Sequence, residues 1–327
     1  MADKVRVGFA GAGGIATGAH LPALKEIEGV EIVALSDVVR ERAEAAAAQF
    51  GGKAYTDYHE MLDQEQMDAL YICFPPDMHE DVELIACSKG IHLFVEKPIV
   101  LTMEKGKEIA KAIKKAKVIS SVGYQLRYYP AADAARNFLK DKTIALVAGN
   151  RWGGVAGGPQ HWWRVMKRSG GMLHEQATHN VDFLRYIVGD VKRVCAMNAL
   201  NALKGIENLD IPDAEVTMLE FKNGAIGYFS NSCALTKGGG WSSTDVILKD
   251  MLLRISFSEI KVQPEGAATI ELPERGLNID QAFIHAIRTR DRSVIRSPYA
   301  DALKTAEVTL GALKSAETGK PVTMKLA

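Results

Sequence analysis

Short, unbroken apolar runs mark the first third of the chain. They are Val5–Ala10, Val30–Ser36, Asp68–Phe74, Leu93–Val95 and Val118–Val122. Strands buried on both faces of a parallel sheet read this way, without alternation. Stretches with helical spacing separate them, at Ile15–Ile27, from Arg40, at Glu80–Lys89 and at Thr102–Ala116. Strands alternating with helices of this length predict an α/β domain, a doubly wound parallel sheet of the Rossmann kind.

After Pro130 the pattern changes. A helix over Ala131–Lys140 precedes a strand at Ile144–Trp152. Gly170-Gly171 opens a second helix expected to run to Val188 and stop at Gly189. At 100° per residue, Leu173, Ala177, Val181, Leu184 and Val188 form one apolar stripe, with Glu175, His179, Asp182 and Tyr186 opposite. Strands follow at Val191–Leu200, Ala214–Phe221, Ala225–Cys233 and Ser243–Phe257, with Asn223-Gly224 as a hairpin turn. Closing helices are expected at Phe283–Thr289 and Ala300–Ala316. The reading is a Rossmann domain over residues 1–124 and an α+β domain with a large, mostly antiparallel open sheet over 125–327.

Composition narrows the function. Of 327 residues, 47% are hydrophobic and 24% charged, and Lys+Arg and Asp+Glu both number 40. A neutral balance gives no footprint for nucleic acid or a membrane surface as the main partner. Met1-Ala2-Asp3-Lys4 leads into a strand without an apolar leader, and no run approaches the roughly 18 apolar residues of a membrane span. Cys73, Cys87, Cys195 and Cys233 lack metal-ligand spacing and read as reduced thiols, which fits a cytoplasmic protein with no metal.

The candidate chemistry lies at the ends of the runs. Gly11-Ala12-Gly13-Gly14-Ile15-Ala16 is a G-x-G-x-x-A loop between a strand and a helix, the setting in which glycines cradle a pyrophosphate. Asp37 ends the next strand, 21 residues beyond Ala16. An acid there binds ribose hydroxyls and repels a 2′-phosphate, favouring NAD over NADP, although Arg40 and Arg42 lie close behind. A helix N-cap is the other reading of Asp37. In Leu93-Phe94-Val95-Glu96-Lys97-Pro98 a lysine is fixed at a strand's carboxyl end, where ligands of open α/β sheets bind; a strand ending in a solvated ion pair is the alternative. His79, at a helix start, reads first as a hydrogen-bonded structural histidine. Glycine-rich Gly153–Gln160 leads to His161-Trp162-Trp163-Arg164, where tryptophans either cover a sugar ring or plug the sheet edge. Glu175 and His179 are four apart, so a carboxylate can support the imidazole as a proton acceptor.

The Gly11–Ala16 loop, Pro75-Pro76-Asp77-Met78-His79, Glu96-Lys97-Pro98 and Val122-Gly123-Tyr124-Gln125-Leu126-Arg127-Tyr128-Tyr129-Pro130, in this order, resemble the Gfo/Idh/MocA family of NAD(P)-dependent oxidoreductases of sugars and polyols. The resemblance extends nearly end to end. It implies that Glu96-Lys97-Pro98 contacts nicotinamide and substrate, often through a cis Lys-Pro bond, and that Gln125 lies near the nicotinamide. It also implies a catalytic histidine at His179. Glu175 stands where the family usually has Asp, and Ala177 where it often has Gly. A partner subunit usually covers the open sheet face, giving a homodimer or homotetramer. The expected cofactor contacts are Gly11, Gly13, Gly14, Ile15, Asp37, Phe74, Pro75, His79, Glu96, Lys97 and Gln125. Lys97, Arg127, Trp163, Arg164, Glu175 and His179 are the expected substrate contacts, with Lys97, His179 and Glu175 catalytic. Two other outcomes belong to the same resemblance: an NAD-dependent glycoside hydrolase using transient oxidation, and a non-catalytic nucleotide-binding regulator.

Overall fold

The computed structural model describes residues 4–155 and 157–326. Met1–Asp3 of the expected N-terminal lead-in, Ala156 of the glycine-rich loop and Ala327 lie outside the described residues. The chain forms two compact units, Met1–Gly123 with Leu277–Asp301, and Tyr124–Gly276 with Ala302–Ala327. Among the described residues no helix is long and apolar enough to cross a membrane.

The first unit is built on β1 (Val5–Ala10), β2 (Val30–Ser36), β3 (Lys53–Tyr55), β4 (Ala69–Ile72), β5 (His92–Val95) and β6 (Ser120–Val122). They lie in the order β3-β2-β1-β4-β5-β6, all parallel. This is the doubly wound order of dinucleotide-binding sheets, with its switch point between β1 and β4. Every residue of β4 and β5 is buried, as their unbroken apolar runs require. Phe9, Tyr71 and Phe94 stack across β1, β4 and β5 at centroid separations of 4.8 and 4.4 Å.

The segment Leu277–Asp301 belongs to this first unit, whereas the expected boundary left it with the second. Its helix Ile279–Thr289 buries Ile279, Ala282, Phe283, Ile284, Ala286 and Ile287, and Phe283 meets Tyr71 and Phe94 edge-on at 5.7 and 5.6 Å. Beyond it, the Val122 N–H donates to the Ser297 carbonyl (2.9 Å), the Ser297 hydroxyl donates to the Val122 carbonyl (2.7 Å), and the Tyr299 N–H donates to the Ser120 hydroxyl (3.2 Å). The returning segment thus occupies the open edge of β6, which an exposed strand would leave unpaired.

The second unit holds β7 (Ile144–Trp152), β8 (Val191–Ala199), β9 (Ala214–Phe221), β10 (Ile226–Ser232), β11 (Trp241–Leu248), β12 (Met251–Ile255), β13 (Ile260–Gln263) and β14 (Val322–Thr323). Their order is β13-β12-β11-β7-β10-β9-β8-β14, antiparallel except for β7 beside β10. Val147, Leu219, Phe229, Val246 and Leu253 pack from one face against Leu173, Val181 and Leu184 of the overlying helices. On the other face Met197 (79% exposed), Val216, Met218, Ile226 and Ile247 stand in solvent. The strand expected over Ser243–Phe257 is a hairpin, β11 and β12, turning at Asp250, whose φ is 59°. Asp is one of the few non-glycine residues that adopts this conformation readily.

The helix expected from Gly171 to Val188 is two helices, Gly171–Glu175 and Thr178–Val188. Nor is the side opposite the apolar stripe solvated. Asp182 is fully buried and accepts two hydrogen bonds from Arg127, from Nε at 2.7 Å and Nη2 at 2.6 Å, and a third from the Thr305 hydroxyl at 2.7 Å. Periodicity could not register a buried ion pair supplied by residues so far away in the chain. Removing one partner of such a pair strands the other, at a cost of about 3–5 kcal/mol. Asp182→Ala and Arg127→Leu are each expected to lower unfolding stability by that amount in urea titrations. The double substitution should recover part of the loss.

Candidate active site

In the first unit the expected cofactor residues follow the carboxyl ends of adjacent strands. Gly11 follows β1 with φ of 100°, and a Cβ there would lie 2.7 Å from the Cys73 carbonyl carbon, so only glycine fits. At Gly13 and Gly14 a Cβ would meet nothing within 4 Å, and Ile15 is exposed. The loop is therefore tight toward the protein and open on its outer side, as backbone approach by a pyrophosphate requires. Asp37 follows β2. Its Oδ2 accepts the Ala12 N–H (3.0 Å) and its Oδ1 the Val39 N–H (2.9 Å), which ties this carboxylate to the glycine loop. Val39, not Asp37, is the N-cap of the helix Arg40–Phe50. These residues fit NAD.

Phe74, Pro75 and His79 follow β4. The buried His79 ring places Nδ1 2.7 Å from Glu83 Oε1 and Nε2 3.1 Å from the Phe74 carbonyl, with the Phe74 ring edge-on at 5.0 Å. Nε2 closes the turn from Phe74 to His79, and Nδ1 ties it to Glu83 of the helix Val82–Ser88.

Glu96 and Lys97 follow β5, and the Lys97–Pro98 peptide is cis, as the family pattern implies. The Glu96 side chain turns inward. Oε2 accepts the Lys97 N–H (3.1 Å), and Oε1 lies 3.1 Å from His20 Nε2. A Cβ on Gly123 would fall 2.1 Å from Oε1, so the carboxylate occupies the space that any other residue at 123 would fill. On its other side His20 Nδ1 lies 2.8 Å from Asp280 Oδ1, which also accepts the Tyr71 hydroxyl (3.1 Å). Burial opposes charge on His20, but the hydrogen bonds to Asp280 and Glu96 outweigh it and push its pKa up to about 10. Sequence reasoning missed His20 and Asp280. His20 sits among apolar residues of a helix, and nothing local announces partners 76 and 260 positions away.

In the second unit Gln125 is exposed at the start of the turn Gln125–Tyr128. Arg127, an expected substrate contact, is 3% exposed with its guanidinium locked on Asp182. His179 is partly buried, edge-on to the Tyr124 ring at 6.0 Å, and the Tyr124 hydroxyl shares a 2.9 Å hydrogen bond with Thr178. Glu175 is buried and accepts from Gln176 Nε2 (2.6 Å), whose Oε1 accepts from Arg151 Nη2 (3.2 Å). Burial lowers the pKa values of both Arg151 and His161, while Glu175 pulls each of them back up. Trp163 and Arg164 lie half-buried in the short turn Trp162–Arg164, where the rings of His161, Trp162 and Trp163 pack together. Arg151, Gln176 and His161 were not singled out from the sequence. For Arg151 a signal existed, since Val147 and Gly149, four and two positions before it in β7, are buried, helix-facing positions of that strand.

The family model "Oxidoreductase family, NAD-binding Rossmann fold" matches residues 5–124, and the Gfo/Idh/MocA C-terminal domain model matches residues 143–249. A myo-inositol 2-dehydrogenase from Thermotoga maritima is 32% identical over 243 residues, covering 70% of this chain and 68% of that protein. The scyllo-inositol 2-dehydrogenase (NAD(+)) of Bacillus subtilis is 28% identical over 230 residues, covering 69% and 67%. An oxidoreductase structure from Thermotoga maritima superposes with a TM-score of 0.85 at 24% identity, covering 98% of each chain.

The chain belongs to the Gfo/Idh/MocA family. As a member it is an oxidoreductase, and its first unit is an NAD-binding Rossmann domain.

Two measurements follow from this geometry. Asp37→Ser should narrow or invert a preference for NAD over NADP, read as the ratio of Kd values for NADH and NADPH; a wild-type protein that prefers NADPH tenfold would refute the role given to Asp37. The pKa of His20 in the folded protein lies above its ordinary value of about 6.5, so the native state holds a proton that the unfolded chain releases. Its stabilisation is full below pH ~6.5 and is lost progressively as pH rises to about 10. Unfolding stability of the wild type should therefore fall more steeply than that of His20→Gln across this window, by at most about 1.4 kcal/mol per pH unit.

Proposed function

We propose that this protein oxidises a hydroxyl carbon of a sugar or polyol with NAD, or runs the reverse reduction, in the cytoplasm. The observation that carries the reading is Lys97, fixed after β5 by the inward-turned Glu96 and preceded across the sheet by the glycine loop and Asp37. Family membership and the inositol dehydrogenases among its relatives support it.

NAD, when bound, supplies the hydride acceptor. Gly11, Gly13, Gly14 and Ile15 would hold its pyrophosphate, Asp37 its ribose, and Phe74, Pro75, Lys97 and Gln125 the nicotinamide end. The Lys97 ammonium donates to the reacting oxygen and polarises it. His179 takes the hydroxyl proton as general base, and Glu175 orients it. Exchange of these roles, with Lys97 carrying the proton and His179 orienting, keeps the same two residues in the reaction. Trp163 offers an apolar ring face to the sugar C–H bonds and Arg164 a set of fixed donors.

The test is a screen of polyols and sugars with NAD, followed at the absorbance of NADH. General acid–base groups contribute a factor of about 10²–10⁴, so Lys97→Ala and His179→Ala should each lower kcat by that range. Their combined effect should be less than multiplicative, because groups acting as a unit are not additive. A His179→Ala enzyme with normal turnover would remove His179 from the reaction. Product formed from a glycoside without net NADH would establish the hydrolase chemistry instead, and NADH binding with turnover of no substrate would establish a regulator.

The reading includes a homodimer or homotetramer formed through the outward sheet face. Met197, Val216, Met218, Ile226, Tyr228 and Ile247 all stand exposed there, a contiguous apolar surface of the kind that monomers rarely leave bare. Sedimentation is expected to give a multiple of 35.6 kDa, and Met218→Lys with Ile226→Glu should shift it toward the monomer.

A further inference from the structure

We propose that His20 is a positioning residue for Lys97: held between Asp280 and Glu96, it fixes the Glu96 carboxylate against the Lys97 amide and so sets where the lysine side chain begins. This rests on the assignment of Lys97 to the reacting oxygen.

Both imidazole nitrogens face carboxylate oxygens, at 2.8 Å on Asp280 and 3.1 Å on Glu96. His20, Glu96 and Asp280 are 4%, 7% and 5% exposed, and Tyr71 is fully buried, so water does not compete for these bonds. The ring also packs against the Tyr71 and Phe94 rings, at 5.3 and 4.7 Å. Buried Cys73 lies close enough to feel the charges of Glu96 and Asp280.

The local backbone is shaped for this contact. Residues Ala16–His20 form a π turn, with the Leu21 N–H bonded to the Ala16 carbonyl. Such turns are rare and recur at functional sites. Here the turn ends on His20, buried together with Leu21 and Leu24. Asp280 is delivered by the returning helix Ile279–Thr289, whose start is fixed by an Asn278–Gln281 capping box. Gly123 closes the last side of the Glu96 carboxylate. Because His20 is only four residues beyond Ala16, the glycine loop and the lysine turn share one rigid link.

The experiment uses the full chain with its lysines reductively 13C-methylated. The Lys97 resonance is identified by its loss in Lys97→Arg. In folded His20→Gln, and independently in Asp280→Asn, the Lys97 resonance is expected to shift or broaden while NADH affinity is largely retained. On the substrate found by the screen, kcat should fall up to about a hundredfold, the cost of a misplacement of about 1 Å, with KM little changed. The same substitutions on a Lys97→Ala background should cost nothing further in kcat. A Lys97 resonance that coincides with wild type in both folded variants would overturn the proposal, as would an undiminished kcat loss on the Lys97→Ala background. If His20→Gln fails to fold, Asp280→Asn decides. Should the screen find no substrate, the functional reading fails, while the lysine spectrum still decides the positioning role.

Discussion

A positively charged imidazole held between two carboxylates inside the first unit is the interaction on which the lysine turn depends. Burying an ion is costly unless each of its polar atoms is matched, and removing one member strands the rest. His20, Glu96, Asp280 and Tyr71 meet this condition with hydrogen bonds of 2.8–3.1 Å. The arrangement constrains distant parts of the chain together. Residue 123 must be glycine, the first helix must widen by a π turn, and the segment between the two parts of the second unit must return to bring Asp280. The departure from a simple two-part chain therefore has a local cause in this cluster and in the β6 edge that the same segment covers.

The second unit uses the same physics twice. Arg127, Asp182 and Thr305 form a satisfied buried network beside the helix Thr178–Val188, which fixes the helix that carries His179. The end of the inner sheet face is polar: register places Asn231 beside Arg151 on β7 and beside Glu215 on β9. Burial pushes the Glu215 carboxyl up to about 7, against the pull of the Thr217 hydroxyl. Glu175 acts electrostatically on Arg151 of β7, so the charge around it is set partly by the sheet and not by its helix alone.

The outward face of that sheet follows a different rule. Strict alternation along β9 sends Glu215, Thr217, Leu219 and Phe221 inward and Val216 and Met218 outward. Neither face is polar throughout, and apolar residues stand on both. An isolated open sheet in water tolerates this poorly.

The sequence alone determined the layered plan. Apolar runs with helices between them specify a parallel sheet, the glycine loop specifies its nucleotide end, and Asn223-Gly224 specifies a hairpin, because each is written in a pattern of neighbouring residues. Ile144–Trp152 and Ala214–Phe221 are strands as read. What only the tertiary structure decided depends on pairs far apart in the chain. The strand read over Ser243–Phe257 folds back at Asp250, a residue that leaves a pattern of apolar positions almost undisturbed. The helix through Gly171–Val188 breaks after Glu175. Arg127 pairs in the interior with Asp182, 55 positions away. His20 and Asp280, silent in the sequence, meet across 260 positions. Periodicity reports which side of an element is apolar. It carries no information on which charged residue will be buried opposite another, since that energy exists only once both have left water.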